Sequence, residues 1–202
     1  MLDRWLRPVK ERLLVPVARP VARVVSADVI SGVAFAAGAG AAVAAATGRF
    51  GLALTLWLVN RVLDGLDGTV ARLRGTATDV GGHLDIVLDT AVYGLIPLGV
   101  AAHTGHEGAW AAAAVLLFAF YVNTAAWMYL AAVLEKRGAG AAAQGEMTTV
   151  TMPAGLVEGT EAVVFFSLLL LLPGHAPALM GAMAVLVLLA AAQRLRWARR
   201  HL

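Results

Sequence analysis

The sequence predicts an all-α, polytopic membrane protein with six transmembrane helices, preceded by an N-terminal amphipathic helix on the membrane surface. Three observations predict it. Of 202 residues, 60% are hydrophobic and 14% charged, with a mean hydropathy of +0.77, far more apolar than a soluble domain of this size. Several apolar runs approach or exceed the roughly 20 residues that cross a bilayer. Fifteen of the sixteen basic residues fall on one side if both termini share that side, as the positive-inside bias requires. The net charge of +3 makes no case for a nucleic-acid partner, and the lack of cysteine removes disulfide and thiolate chemistry. Usage rich in Ala, Gly, Val and Arg suits a GC-rich bacterial genome and hence a bacterial inner membrane.

The elements follow in chain order. Residues 1–25 form a juxtamembrane segment, with Leu2, Trp5, Leu6, Val9 and Leu13 on one side and Asp3, Arg4, Arg7, Lys10 and Glu11 on the other. That periodicity is that of a basic amphipathic surface helix. Pro8, Pro16 and Pro20 and the length before the first apolar run argue against a signal peptide. The six spans are read as Val29–Thr47, Phe50–Arg72, Val80–His103, Ala109–Leu134, Leu156–Leu172 and Ala176–Arg194. The first is rich in Gly and Ala, which suits close helix packing in lipid. The second is apolar only through Leu63, so its last turns must face protein or water. Six spans put both termini, the second-to-third turn and the Gly138–Pro153 connection in the cytoplasm, leaving Arg49 outside. Small residues and Thr in that last connection predict a mobile loop. Residues 1–202 read as a single membrane domain without internal repeats.

The chemistry concentrates at the second-to-third turn. Five of the thirteen acidic residues, Asp64, Asp67, Asp79, Asp85 and Asp89, lie in this one stretch. Ionisable groups at membrane depth are costly and usually functional. Asp64 and Asp67 are spaced i,i+3 on one helix, and Asp85 and Asp89 i,i+4 on the next, so each pair shares a helix face. A short connection lets the faces oppose. At about 4 Å and an effective dielectric near 20, each pair of carboxylates repels by about 4 kcal/mol. Two divalent cations would cancel four charges, and hard oxygen ligands suit Mg2+ or Mn2+. Two such ions side by side are a device for phosphoryl displacement. Gly68, Ala71 and Gly81, one turn from the aspartates, leave room for a ligand near the backbone. Plain surface ion pairs with Arg61, Arg72 and Arg74 would not call for this doubled spacing. An ion-coupled transporter would also carry intramembrane carboxylates, but transporters usually show repeats between halves.

Asp64-Gly-Leu-Asp67-Gly68-Thr-Val-Ala71-Arg72, eight residues, then Gly81-Gly-His-Leu-Asp85-Ile-Val-Leu-Asp89, fills every fixed position of the pattern D-x2-D-G-x2-A-R-x8-G-x3-D-x3-D. In this the chain resembles the CDP-alcohol phosphotransferase family, in a poorly characterised bacterial branch. The resemblance covers the whole layout of surface helix and six spans. It implies transfer of a substituted phosphate group from a CDP-linked lipid to a small alcohol, with release of CMP, in phospholipid synthesis by a homodimer. It implies that Asp64, Asp67, Asp85 and Asp89 ligate the two cations. Gly68, Ala71, Gly81 and Arg72 would border the CDP moiety, with Thr78 near the nucleotide. Asp28 and Ser31 fall where the family often has a Pro-Asn or Pro-Asp pair followed by Thr; here Ala27 stands in place of the proline. An alcohol is a poor nucleophile, so a carboxylate must take its proton; Asp89, last of the motif, is the candidate base.

The weaker signals concern the acceptor. Glu158 and Glu161, spaced i,i+3 at the start of the fifth span, read either as acids favoured by the helix dipole or as an acceptor pocket. Between Gly75 and Gln193 the basic residues are Lys136 and Arg137 alone. Phosphorylated acceptors need cationic forks, so an unphosphorylated polyol or amino alcohol is expected, unless Arg61, Arg74 and Arg194 converge on a phosphate from neighbouring helices. The alternative is a phosphatidylinositol-phosphate or phosphatidylglycerol-phosphate synthase, which takes a phosphorylated acceptor. His103, His106 and His175 fall in outer loops, and His83 sits at a variable slot of the motif.

Overall fold

The computed structural model describes residues 13–145, 151 and 155–202. The first twelve residues of the expected surface helix therefore lie outside the described residues. The chain is helical over 13–21 (α1), then Ala27–Ala46 (α2), Phe50–Arg74 (α3), Asp79–Thr104 (α4), Glu107–Lys136 (α5), Ala141–Gln144 (α6), Gly159–Leu171 (α7) and Ala176–His201 (α8), the last preceded by a single 3-10 turn at Pro173–His175. No strand occurs among the described residues.

Among the described residues, four stretches are long and apolar enough to cross a membrane: α2, α4, α5 and Pro173–His201. The other two expected spans differ. At 25 residues α3 has the length, but its C-terminal half carries Asn60, Arg61, Asp64, Asp67, Arg72 and Arg74. At 13 residues α7 is shorter than the expected Leu156–Leu172; a rise of about 1.5 Å per residue makes it about 20 Å long, against a hydrocarbon core of about 30 Å. Its start is delayed because Leu156 and Val157 lie in a bend that the Glu158 cap terminates.

The packing brings α2 against both α3 and α4, lays α5 along α8, and sets α7 against α3. One apolar core joins them, with Trp57 of α3, Ile96 and Val100 of α4, Leu116 of α5, Phe166 and Leu169 of α7 and Met180 of α8 all fully enclosed. Small residues set the α2–α4 distance: a Cβ on Gly99 would lie 2.3 Å from the Ala42 carbonyl oxygen, and one on Gly38 2.5 Å from Val92. Close backbone approach of this kind drives helix association where lipid removes the hydrophobic gain. A second cluster of Ala18, Ile30, Leu66 and Val70 seats α1 on α2 and α3.

The turn between α3 and α4 is tight. Gly75 takes the left-handed conformation (φ 66°), its N–H on the Arg72 carbonyl and that of Thr76 on the Ala71 carbonyl. This closure satisfies the last carbonyls of α3. Thr78 then caps α4, its hydroxyl accepting from Gly81 N–H at 3.1 Å. The Gly138–Pro153 connection, expected as a mobile loop, holds a short helix where described. Glu135 accepts from the Ala141 and Thr151 amides at 2.8 and 3.3 Å, and Thr151 is buried.

Candidate active site

The turn of α3 into α4 brings the predicted carboxylates together. Asp64, Asp67, Asp85 and Asp89 line one cleft, with Ser31, Ala34 and Phe35 of α2 as its third wall. Asp67 is buried and held on both oxygens: Ser31 Oγ donates to Oδ2 at 2.6 Å and Gly68 N–H to Oδ1 at 2.6 Å. Asp64 and Asp89 are partly exposed, at 24% and 30%, and Asp85 is open to the outside, so the cleft can be entered. Asp64 and Asp85 line the same cleft from the two sides of the helix gap.

Sequence reasoning assigned neither Asn60 nor Arg61 to the aspartate site. Arg61, counted there among the basic residues of the turn, lies one helical turn before Asp64 and is 9% exposed. Its guanidinium makes a fork onto Asp89, with Nη1 donating to Oδ2 at 3.1 Å and Nη2 to Oδ1, while Nη1 stands 3.7 Å from Asp64. Asn60 accepts from Arg61 Nε at 2.8 Å and donates to the Ala34 carbonyl at 2.8 Å, tying the arginine to α2. The cation sits over the rings of Trp57 and Tyr93, at 4.7 and 5.4 Å from their centroids, and Phe166 packs on both rings. The available signal was the pair Asn60-Arg61 at the end of an apolar run, where an unpaired charge would not be tolerated. Arg194, likewise assigned to the C-terminal tail, is buried within α8 and bonds Asn123 of α5.

The donor set fits divalent cations. Four hard carboxylates from two helices face one cleft, and among the described residues Arg61 pairs with two of them, Asp64 and Asp89. Among the described residues, no three acidic or imidazole groups stand close enough to close on one ion together, because Asp89 is turned onto Arg61 and Asp67 onto Ser31. The chemistry and placement of the ligands match; their final closure requires side-chain rotation.

The remaining predicted residues divide. Gly68 and Ala71 are partly exposed on α3, and a Cβ on Gly68 would meet Arg72 Nη1 at 3.3 Å. Arg72 is exposed, with Nη2 3.4 Å from Thr69 Oγ1. Thr78 and Gly81 form the α4 cap described above. Ser31 enters the cleft, whereas Asp28, one turn earlier, is exposed and does not line it. Glu158 and Glu161 form a reciprocal capping box at α7: Glu158 N–H donates to Glu161 Oε2 at 3.2 Å and Glu161 N–H to the Glu158 side chain, which also accepts from Gly155 N–H at 3.2 Å. They do not line the aspartate cleft.

A family model described as CDP-alcohol phosphatidyltransferase matches residues 24–197. The chain is 37% identical over 174 residues, 86% of its length and 83% of the relative's, to inner membrane protein YnjF of Escherichia coli (strain K12). It is 35% identical over 102 residues, 50% of this chain and 51% of the relative, to archaetidylinositol phosphate synthase of Methanothermobacter thermautotrophicus. The crystal structure of phosphatidylinositol phosphate synthase from Mycobacterium tuberculosis with CDP-DAG bound matches at a TM-score of 0.71 and 22% identity over 92% of each chain. The same enzyme with manganese and citrate matches at 0.71 and 21%, over 91% of this chain and 87% of that one. At such identity the likeness establishes the shared fold.

Proposed function

Because the chain belongs to the CDP-alcohol phosphatidyltransferase family, we propose that it moves a phosphatidyl group from a CDP-linked lipid to a small alcohol and releases CMP, in phospholipid synthesis. It is a CDP-alcohol phosphotransferase, and the transporter reading falls away. The observation that carries the proposal is the convergence of Asp64, Asp67, Asp85 and Asp89 on one cleft. CDP-DAG and manganese in the mycobacterial structures support a CDP-linked lipid donor and divalent cations.

Asp64, Asp67, Asp85 and Asp89 would hold two divalent cations, Mg2+ or Mn2+, which when bound offset the charge of the donor's diphosphate and of the leaving CMP. Ser31 and the Gly68 amide keep Asp67 oriented. Gly68, Ala71, Arg72, Thr78 and Gly81, with Asp28 and Ser31 from α2, border the CDP moiety. Asp89 takes the acceptor's proton as the acceptor oxygen bonds to phosphorus and the bond from phosphorus to the CMP oxygen breaks. Each carboxylate oxygen has two lone pairs, so the Arg61 fork leaves Asp89 able to accept.

The enzyme is a single six-span domain over residues 1–202, with an amphipathic segment over 1–25, in the bacterial inner membrane. Both termini and the site face the cytoplasm, and the protein works as a homodimer. The acceptor is an unphosphorylated polyol or amino alcohol. Arg61 is engaged by Asp89 and Asp64, and Arg194 by Asn123, so both buried guanidinium groups have carboxylate or amide partners already. The names of the archaeal and mycobacterial relatives favour the alternative, a phosphorylated acceptor. The test is CMP release from CDP-diacylglycerol by purified protein, with inositol phosphate and glycerol phosphate set against their dephosphorylated forms. Release should require Mg2+ or Mn2+, and full activity in EDTA would sink the reading. Preference for a phosphorylated acceptor, unchanged by Glu158→Gln with Glu161→Gln, would reduce the glutamates to a helix cap.

A further inference from the structure

The geometry points to Arg61 as a positioning residue that serves as the resident counter-cation of Asp89, holding it out of the ligand set so that the resting site takes one divalent ion and admits a second only with a diphosphate. This rests on the cation reading of the aspartate cleft.

The contacts of Arg61 leave its guanidinium little freedom. Nε is fixed by Asn60, which is fixed in turn by the Ala34 carbonyl of α2. Nη1 and Nη2 engage both oxygens of Asp89, and Nη1 also donates to Tyr93 Oη at 3.3 Å. The rings of Trp57 and Tyr93 pack beside the guanidinium, their centroids 4.7 and 5.4 Å from Cζ. A planar fork on a carboxylate is the strong form of such a pair, and three helices hold this one in place.

Its effect on the site is a matter of charge. Four carboxylates carry four negative charges and Arg61 returns one. A first divalent ion, held by Asp64, Asp67 and Asp85, leaves the site with one negative charge. A second would make it positive, next to a guanidinium a few ångströms away. Coulomb repulsion in a partly buried site opposes that. The diphosphate of a CDP-linked donor reverses the balance, so the second ion and the donor enter together, as Asp89 exchanges part of the fork for the ion.

The test is Mn2+ binding to purified full-length protein in detergent, counted from the free-ion electron paramagnetic resonance signal. Wild type should bind one ion per chain alone and two with CDP added. Arg61→Gln should bind two without CDP, whereas Arg61→Lys, which keeps the charge, should stay at one. A purely structural role for Arg61 would not move this count. Two ions on wild type without nucleotide would overturn the proposal, and so would one ion on a folded Arg61→Gln. If Arg61→Gln does not fold, the wild-type count with and without CDP decides. Absence of Mn2+ binding in wild type even with CDP would overturn the underlying cation reading, an outcome distinct from a wrong count.

Discussion

The four aspartates differ in what surrounds them, and this predicts different losses. Asp85 is open to the outside, so Asp85→Asn should fold normally. A neutral amide is a weaker ligand for a hard cation, so the variant should lose activity together with cation binding. Asp89 faces Arg61 and is the proposed base. Asp89→Asn should lower turnover by about a hundredfold or more, the scale of general-base catalysis, with less effect on CDP-lipid binding, because a base acts on the transition state. Steady-state kinetics with a binding measurement on both variants separates the roles; loss of binding alone in Asp89→Asn would remove the case for a base. The aspartates were legible in sequence because their i,i+3 and i,i+4 spacing states which side chains share a helix face. Arg61 was misplaced among the loop charges, since sequence distance from the turn does not reveal that Asp89, 28 positions on, neutralises it.

At the scale of elements, the site depends on how α2 and the capped turn hold α3 and α4. A Cβ at Gly99 would collide with the Ala42 carbonyl, and backbone cannot yield as a side chain can. Gly99→Leu should therefore destabilise the protein by at least the about 1–3 kcal/mol typical of overpacking, read as a lowered Tm in detergent. A Tm equal to wild type would show that α2 and α4 are not in this contact. Thr78 tests the cap: Thr78→Ala should cost about 1 kcal/mol and Thr78→Ser should restore it. If Thr78 also borders the nucleotide, Thr78→Ala will raise KM for the donor beyond any stability effect. The short turn and the helix pair were readable from local signals. The short α7 was not, because its apolar run begins before the Glu158–Glu161 capping box starts the helix.

The molecule as a whole is predicted to sit with both termini and the aspartate cleft on the cytoplasmic side. The chain has no cysteine, so single cysteines report cleanly. Ala139 is exposed beyond α5, and nothing lies within 4 Å of a Cβ on Gly174. Ala139→Cys and Gly174→Cys should react with an impermeant maleimide from opposite sides of sealed vesicles. Labelling of both from one side would break the six-span topology. Arg61 and Arg194 are buried residues of α3 and α8 rather than loop charges.

By itself the sequence determined the all-helical class, the membrane character, the cluster of four aspartates and the family. These follow from local composition and from periodicities along one chain, and a helix converts spacing directly into shared faces. Only the tertiary structure decided which charges meet across helices. It brought Ser31 to Asp67 over 36 positions and Arg61 to Asp89 over 28, and it kept Asp28 out of the cleft. It also turned Glu158 and Glu161 onto backbone amides. Such pairings depend on the rotation and distance of packed helices, set by contacts such as Gly99 on Ala42, and no periodicity within a single helix encodes them.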